Sequence, residues 1–159
     1  MRQAAVLVPY IRHRGEDSIL LIRRPETMSS YAGQVAFPGG SREPDDDSLE
    51  QTALRETEEE VGIPPESVQV LRELGWHETT LSHRVKPFVG RVAEGCRLQP
   101  DPREVERLLF LPTRRLTPAL FGLRGLWEDP RGQEHEIYTF ELDGCEVWGL
   151  TARILRELV

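Results

Sequence analysis

Three glutamates at helical spacing are the residues of this sequence best suited to chemistry. Glu59 and Glu60 stand three and four positions after Glu56, so on a helix all three side chains project from one face. Carboxylates placed in this way repel one another, and a bound cation would relieve the repulsion. Hard oxygen ligands suit Mg²⁺ or Mn²⁺, ions that can polarise a diphosphate and activate a bound water. The alternative is a solvated helix face, the ordinary role of a charge run.

The helix that carries these glutamates is bounded by capping residues. Ser48 is a good N-cap, and Gln51 stands three positions later, where a capping-box partner belongs. Gly62 fits the position after the last helical residue, and Pro64 prevents the helix from continuing. Upstream, the turn Gly39-Gly40 would let the backbone approach a ligand that side chains would block. This context favours a cation site, and metal-assisted cleavage of a phosphoanhydride is the chemistry that such a site permits.

Length and charge limit the class of protein. With 159 residues the chain is expected to form one domain, residues 1–159, with a hydrophobic core. The formal net charge of −7 argues against a general binder of nucleic acid or of a membrane surface. Cys96 and Cys145 are far apart and predict neither a zinc site nor a disulfide framework. Because no apolar run is long enough for a membrane span and no signal-peptide pattern is evident, a cytoplasmic location is expected.

The hydrophobic pattern predicts one α/β domain with a mixed sheet. A hairpin is expected at residues 4–11 and 18–24, and further strands at 34–37, 68–76, 85–92, 105–111, 126–128, 136–142 and 145–148. Besides the glutamate helix, helices are expected at 117–123 and 151–159. The segments 25–33, 77–84 and 97–103 are predicted to be loops.

The glutamate helix carries a family resemblance. Residues 55–63, R-E-T-E-E-E-V-G-I, resemble the R-E-U-x-E-E-x-G-U core of the Nudix hydrolase box, in which U is a bulky apolar residue. The fixed positions that match are Arg55, Glu56, Glu59, Glu60 and Gly62. Thr57 departs from the aliphatic preference of its position. The resemblance implies a hydrolase of phosphoanhydride bonds with an α/β/α sandwich fold, in which a mixed β-sheet lies between helices.

The spacing upstream of Arg55 departs from the standard box by one residue. Counting back from Arg55 puts Asp47 at the position of the box's first Glu and Ser41 at that of its Gly. Gly39-Gly40 therefore lies one residue farther from Arg55 than the box requires. A loop longer by one residue is similar to that of the coenzyme A pyrophosphatase-type Nudix proteins.

Three further segments resemble the same subfamily. Residues 20–40 follow its L-L-T-x-R…G-x-x-x-F-P-G-G signature with Arg24 and Gly33 in register, and P-R-E-V at 102–105 and W-G-L-T-A at 148–152 are also similar. Two residues depart: Ile22 replaces the signature's Thr, and Ser29 stands where some versions carry a basic residue. The resemblance implies cleavage of coenzyme A or acyl-CoA to 4′-phosphopantetheine and adenosine 3′,5′-bisphosphate. The alternatives are NADH, ADP-ribose or a nucleoside triphosphate as substrate, or a Nudix-fold binding module without turnover.

The resemblance also assigns roles to the charged residues. Glu56, Glu59 and Glu60 would bind Mg²⁺ or Mn²⁺. Arg55 would orient the glutamates through charge-assisted hydrogen bonds. Glu104 is a candidate general base from outside the box, with Glu56 or Glu59 as alternatives. The complete set of glutamates argues against a pure binding module, which has no need for carboxylates that repel one another.

Residues around the box would contact the substrate, a small nucleotide-type molecule. Arg24 and Arg42 could bind its phosphates, and Tyr31 could stack on its base or on the pantetheine chain. Gly39 and Gly40 would lie against the substrate, and the carbonyl of Gly39 could be a further metal ligand. Surface placement of the arginines and loop packing of Tyr31 are the alternatives. No nucleic-acid or membrane partner is expected, and the chain is expected to be a monomer or a homodimer.

Overall fold

The chain begins with the predicted hairpin. The computed structural model describes residues 2–28, 31–79 and 83–159. Strand β1 (Arg2–His13) pairs antiparallel with β2 (Glu16–Arg23) across a two-residue turn. Arg14 and Gly15 in that turn have φ of 49° and 78°, as the tight turns that match strand twist require. At this turn both strands extend beyond the predicted ranges, β1 to His13 and β2 back to Glu16, because the turn takes up only two residues.

Strand β1 is the central element of the large sheet because it pairs with three strands. Besides β2, it is antiparallel to β4 (Gly39–Ser41) and parallel to β7 (His83–Val92). The eight-stranded sheet is completed by β3 (Val35–Ala36), β5 (Val68–Glu73), β6 (His77–Glu78) and β8 (Arg107–Pro112). Parallel and antiparallel pairs occur together, so the sheet is mixed, as predicted.

Two helices cover opposite faces of this sheet. On α1 (Leu49–Val61), Ala53 packs with Ala5 and Leu7 of β1. On α2 (Gly149–Arg156), Ile154 and Leu155 pack in the cluster that contains the alternate β1 residue, Val8. Because successive strand residues face opposite sides of a sheet, the helices lie on opposite faces. The α/β/α sandwich is confirmed.

A second, three-stranded antiparallel sheet precedes α2. Its strands are β9 (Gly122–Glu128), β10 (Glu134–Leu142) and β11 (Cys145–Trp148), in the order β11-β10-β9. Turns at residues 129–132 and at Asp143-Gly144 join them. The helix predicted at 117–123 is wrong: only a short 3₁₀ turn, Pro118–Leu120, forms before β9 begins. Pro118 suits only the first turn of a helix, and Gly122 opposes its continuation.

The remaining boundaries differ by a few residues. Strand β5 ends at Glu73, short of the predicted 76, and β8 begins at Arg107 instead of 105. The segment 77–84 is not wholly a loop, because β6 pairs with β7 there and β7 begins at His83. Residues 80–82 of this segment lie outside the described residues, as does Ser29 of the loop at 25–33. Among the described residues, no helix is both long and apolar enough to span a membrane.

Candidate active site

The glutamate helix begins and ends where the caps predict. The hydroxyl of Ser48 accepts the N–H of Gln51 at 3.1 Å, and Gly62 has the left-handed φ of 76°. The side chain of Gln51 accepts a hydrogen bond from the N–H of Asp47. A standard capping box uses the N–H of the N-cap residue, so here the donor is one residue earlier. These caps fix the register of α1 and with it the direction of each carboxylate.

The guanidinium of Arg55 connects the loop before α1 to the acidic face of the helix. Nε and Nη2 each donate to a carboxylate oxygen of Asp46 at 2.9 Å, a bidentate pair. Nη1 donates to Glu56 at 3.1 Å and to Glu59 at 3.2 Å. Nη2 also donates to the carbonyl of Ser41 at 3.3 Å. Arg55 makes the contacts expected of a residue that orients the glutamates.

Asp46 is the carboxylate that sequence reasoning missed. Its side chain is buried and accepts hydrogen bonds from the hydroxyl of Thr52 at 2.8 Å and the N–H of Glu43 at 2.9 Å. Hydrogen bonding to Arg55 is the main reason that its pKa lies well below the usual range of an aspartate. Asp47 stands at the position of the box's first Glu when residues are counted back from Arg55, and it is exposed.

The position of Asp46 locates the extra residue of the loop. Counted forward from Gly40, Asp46 stands at the distance that separates the box's Gly from its first Glu. The additional residue therefore lies between Asp46 and Arg55, not in the turn after the glycines. The forward count was the signal in the sequence that could have identified Asp46.

Gly40 makes room for the carboxylate of Glu56, and Gly39 lets its strand lie close to β1. A Cβ at Gly40 would lie 2.7 Å from the carboxyl carbon of Glu56, so any larger residue would displace it. A Cβ at Gly39 would lie 2.4 Å from the carbonyl oxygen of Ala5 in β1. The N–H of Gly39 donates to Glu60 at 2.8 Å. The space that each glycine leaves is bounded by the protein itself, by the Glu56 carboxylate at Gly40 and by β1 at Gly39.

Burial and mutual repulsion raise the pKa of both carboxyls. The side chain of Glu60 is 3% exposed. Its burial raises its pKa to about 8, with further contributions from the charges of Glu56 and Glu104 against the opposing Gly39 hydrogen bond. Burial, and next the charge of Glu59, raises the pKa of Glu56 to about 7. The site thus concentrates more negative charge than its own cations compensate.

A loop docked on the end of α1 brings Glu104 to the same place. The N–H of Gln99 donates to the carbonyl of Val61 at 2.8 Å, and the N–H of Asp101 donates to that of Glu60 at 2.9 Å. These carbonyls have no partner within the helix, so the loop satisfies them. Val105, next to Glu104, is buried in a cluster with Val61.

Gly62 permits this docking. Its φ of 76° favours glycine, and a Cβ there would lie 2.8 Å from the Cβ of Gln99. Gly62 therefore ends the helix and also leaves space for the loop that carries Glu104.

The carboxylates of Glu56, Glu60 and Glu104 form one cluster. Each contributes an oxygen that lies within 4.8 Å of the other two. The guanidinium of Arg24 lies 4.0 Å from the second oxygen of Glu60. An all-oxygen donor set with raised carboxyl pKa values fits a divalent cation, because the ion would compensate the charge that burial makes costly.

Comparison with known proteins identifies the family. The family model described as the NUDIX domain matches residues 1–126. A relative from Photorhabdus laumondii, an uncharacterized Nudix hydrolase called NudL, is 41% identical over 157 residues, which cover 99% of this chain and 83% of the relative. The NudL of Pectobacterium atrosepticum is 43% identical, with 99% and 81% covered. The chain belongs to the Nudix family.

Solved Nudix structures share the fold. The Nudix hydrolase RenU of M. smegmatis superposes with a TM-score of 0.59 at 24% identity, covering 72% of this chain and 72% of RenU. The C. elegans Ap4A hydrolase, in a binary complex, gives 0.58 at 23% identity, with 72% and 82% covered. The NUDIX domain of Shewanella oneidensis NrtR, complexed with ADP ribose, gives 0.57 at 19% identity, with 73% and 75% covered.

Membership in the Nudix family defines the class of reaction. The chain is a Nudix hydrolase and acts on phosphoanhydride bonds of small nucleotide-type substrates. Nudix hydrolases generally use divalent metal ions, in agreement with the oxygen donors of the carboxylate cluster. The alternative of a non-catalytic binding module is therefore wrong.

The other predicted site residues are exposed and lie outside the three-carboxylate cluster. The side chain of Glu59 is 53% exposed and is held by Arg55, outside the three-carboxylate cluster. Arg42 is exposed and donates to the carbonyls of Asp46 and Asp47, so its guanidinium closes the loop before α1. Tyr31 is exposed, with φ of 52°.

Proposed function

We propose that this Nudix hydrolase cleaves the diphosphate of coenzyme A or acyl-CoA, with Mg²⁺ or Mn²⁺, to 4′-phosphopantetheine and adenosine 3′,5′-bisphosphate. The observation that carries the reaction is the convergence of Glu56, Glu60 and Glu104 beside Gly39. The substrate class rests on the subfamily signature at residues 20–40, which forms β2, β3 and the turn into β4. That signature therefore borders the carboxylate cluster.

Glu56 and Glu60 would hold the metal, together with the carbonyl of Gly39, and Glu104 would lie beside it. Val6 of β1 lies opposite Gly39 of β4. In the neighbouring pair, Leu7 and Pro38, the N–H of Leu7 donates to the carbonyl of Pro38. In an antiparallel ladder bonded pairs alternate with non-bonded ones, so the N–H and C=O of Gly39 face away from β1. The N–H reaches Glu60, and the carbonyl is turned toward the same side. Glu59 would be an outer ligand at most, since Arg55 holds it on the exposed side.

The chain's own groups would bind the substrate and move the proton. A divalent ion, when bound, supplies Lewis-acid polarisation of the diphosphate and charge compensation in the transition state. Glu104 would accept the proton of the attacking water, because it comes from a separate loop and is not held by Arg55. Glu56 is the alternative base. Arg24, whose guanidinium lies 4.0 Å from Glu60, would contact a phosphate of the bound molecule.

The departure from the signature at Ile22 leaves the substrate class unchanged in this proposal. Ile22 is fully buried and packs with Leu20, Val61 and Ile63 beneath the end of α1. It contributes to the core that supports α1, and its side chain is not available to a substrate. The other departure, Ser29, lies outside the described residues.

A substrate panel tests the proposal. The protein is incubated with Mg²⁺ or Mn²⁺ and, separately, coenzyme A, acetyl-CoA, NADH, ADP-ribose and nucleoside triphosphates, and the products are identified by mass. We expect 4′-phosphopantetheine and adenosine 3′,5′-bisphosphate from coenzyme A, and acyl-phosphopantetheine from the acyl derivative. Intact coenzyme A together with cleavage of NADH or ADP-ribose would replace the substrate assignment while leaving the chemistry in place.

A further inference from the structure

Thr151 connects the C-terminal helix to the strand that leads into the carboxylate site. It belongs to the W-G-L-T-A segment, which lies beyond the residues matched by the family model. Its side chain is buried, and its hydroxyl donates to the carbonyl of Val35 at 2.8 Å. Val35 is the first residue of β3, four positions before Gly39.

The geometry of β3 shows why this carbonyl needs a partner from outside the sheet. Strand β3 pairs with β2, and the N–H of Arg24 donates to the carbonyl of Gln34. The neighbouring pair, Arg23 with Val35, is therefore a non-bonded one, in which the Val35 carbonyl faces away from β2. Thr151 satisfies this carbonyl, and an unsatisfied buried carbonyl is costly.

Packing reinforces the hydrogen bond. Val35 and Phe37 belong to the same buried cluster as Val147 of β11 and Ile154 and Leu155 of α2. The short strand β3 has only two residues in its ladder with β2. The position of β3 consequently depends on its contacts with β11 and α2 as well as on its pairing with β2.

We propose that Thr151 is a positioning residue for the metal-binding turn: by holding the Val35 carbonyl it fixes β3 and thereby places the peptide of Gly39 against Glu60. This inference rests on the proposed function, since Gly39 and Glu60 are proposed ligands. It assigns the W-G-L-T-A segment a role in catalysis although none of its residues is proposed to touch the substrate.

Amide hydrogen exchange of the metal-free protein tests the positioning directly. We expect Thr151→Val to accelerate exchange at residues 35–40 by about fivefold, the loss of one net hydrogen bond, while β7 keeps its protection. Thr151→Ser, which retains the hydroxyl, should stay near the wild-type rates. Thr139→Val is the matched control, because the buried hydroxyl of Thr139 has no hydrogen-bond partner within the described residues. Should the valine variant fail to fold, Thr151→Ala is judged by the same criterion.

Mn²⁺ binding by calorimetry and steady-state kinetics give the functional readout. The valine variant should bind Mn²⁺ about three- to tenfold more weakly and lose a similar factor in kcat, with little change in KM, and serine should restore both. Uniformly faster exchange over every strand, or unchanged exchange at 35–40 with unchanged Mn²⁺ affinity, would overturn the role of Thr151. A wild-type protein that binds no Mn²⁺ would instead overturn the proposed metal site, and the exchange result would still decide whether Thr151 controls the turn.

Discussion

Glu60 is the residue at which burial and charge conflict most directly. Its carboxylate is almost fully buried, it accepts the Gly39 N–H, and the carboxylates of Glu56 and Glu104 lie beside it. An unpaired charge in such a place is strongly unfavourable. Without a bound cation this carboxyl retains its proton at neutral pH, whereas a bound cation would compensate the charge, which is why Glu60 is the ligand on which the proposed chemistry depends most.

Replacing Glu60 by glutamine should abolish most of the activity. Glu60→Gln keeps the shape and the acceptor for Gly39 but removes the charge, so we expect kcat to fall on the order of 100-fold or more. Mn²⁺ affinity measured by calorimetry should fall with it. Glu58→Gln is the matched control on an exposed position of the same helix and should leave both quantities within a factor of two of wild type. Undiminished activity of Glu60→Gln would remove the ligand assignment.

Substitution of Asp46 tests the role of the loop before α1, and the adjacent exposed Asp47 provides a matched control. Asp46→Asn removes the charge from a buried pair with Arg55, and breaking such a pair costs about 3 kcal/mol. We expect that loss in the free energy of unfolding, measured in urea, together with a lower kcat because Arg55 no longer holds the glutamates. Asp47→Asn should change neither quantity appreciably. Equal effects of the two substitutions would contradict the assignment of Asp46.

At the scale of elements, the decisive contact is between the end of α1 and the loop at residues 99–105. Two backbone hydrogen bonds, from Gln99 and Asp101, attach the loop to the last carbonyls of the helix. The loop thereby delivers Glu104 to carboxylates on a helix more than forty positions earlier in the chain. Neither element makes the cluster alone.

Gly62→Ala should separate the two roles of this glycine. A Cβ there meets both an unfavourable φ of 76° and the Cβ of Gln99 at 2.8 Å. Gly95→Ala is the matched control, because Gly95 has a similar φ of 79° and nothing within 4 Å of the added Cβ. We expect about 1 kcal/mol of destabilisation at Gly95, with kcat unchanged, and a larger loss at Gly62 with reduced kcat. Identical unfolding and kinetic results for both would show that the loop contact is unimportant.

At the scale of the whole molecule, the cluster couples stability to pH. The folded pKa values of Glu56 and Glu60, about 7 and about 8, exceed the usual glutamate value, so the folded state retains protons that the unfolded chain releases. Stability of the metal-free protein must then fall as pH rises from the unfolded pKa through the folded ones. His77 acts in the opposite direction, because burial lowers its pKa, but its contribution is complete near its unfolded pKa of about 6.5.

Urea unfolding between pH 6.5 and 8 measures the contribution of Glu56 and Glu60 to the pH dependence of stability. We expect the metal-free protein to lose about 1 to 2 kcal/mol over this range, and saturating Mg²⁺ to reverse the loss. Glu60→Gln should flatten the metal-free profile. A wild-type profile that rises over the same range would contradict the raised pKa values.

The sequence predicted the features that depend on neighbouring residues. The caps Ser48 and Gly62, the hairpins and the glutamates all follow from spacing within a few positions, and the structure contains them. The helix predicted at 117–123 failed because the edge strand β9 begins at Gly122, and its partner β10 lies farther along the chain. Asp46 was missed because the choice between two adjacent aspartates depends on which one reaches Arg55 when the loop folds.

The docking of the 99–105 loop also has a consequence for the order of folding. Glu56 and Glu60 come together as soon as one helical turn forms, whereas Glu104 can join them only after the intervening strands have closed a long stretch of chain, which carries an entropic cost. The repulsion that Glu104 adds to Glu56 and Glu60 therefore arises only after the strands between them have folded. Helix α1 can therefore form before the third carboxylate of the active site arrives. The full repulsion among the three carboxylates develops only when the surrounding core is in place.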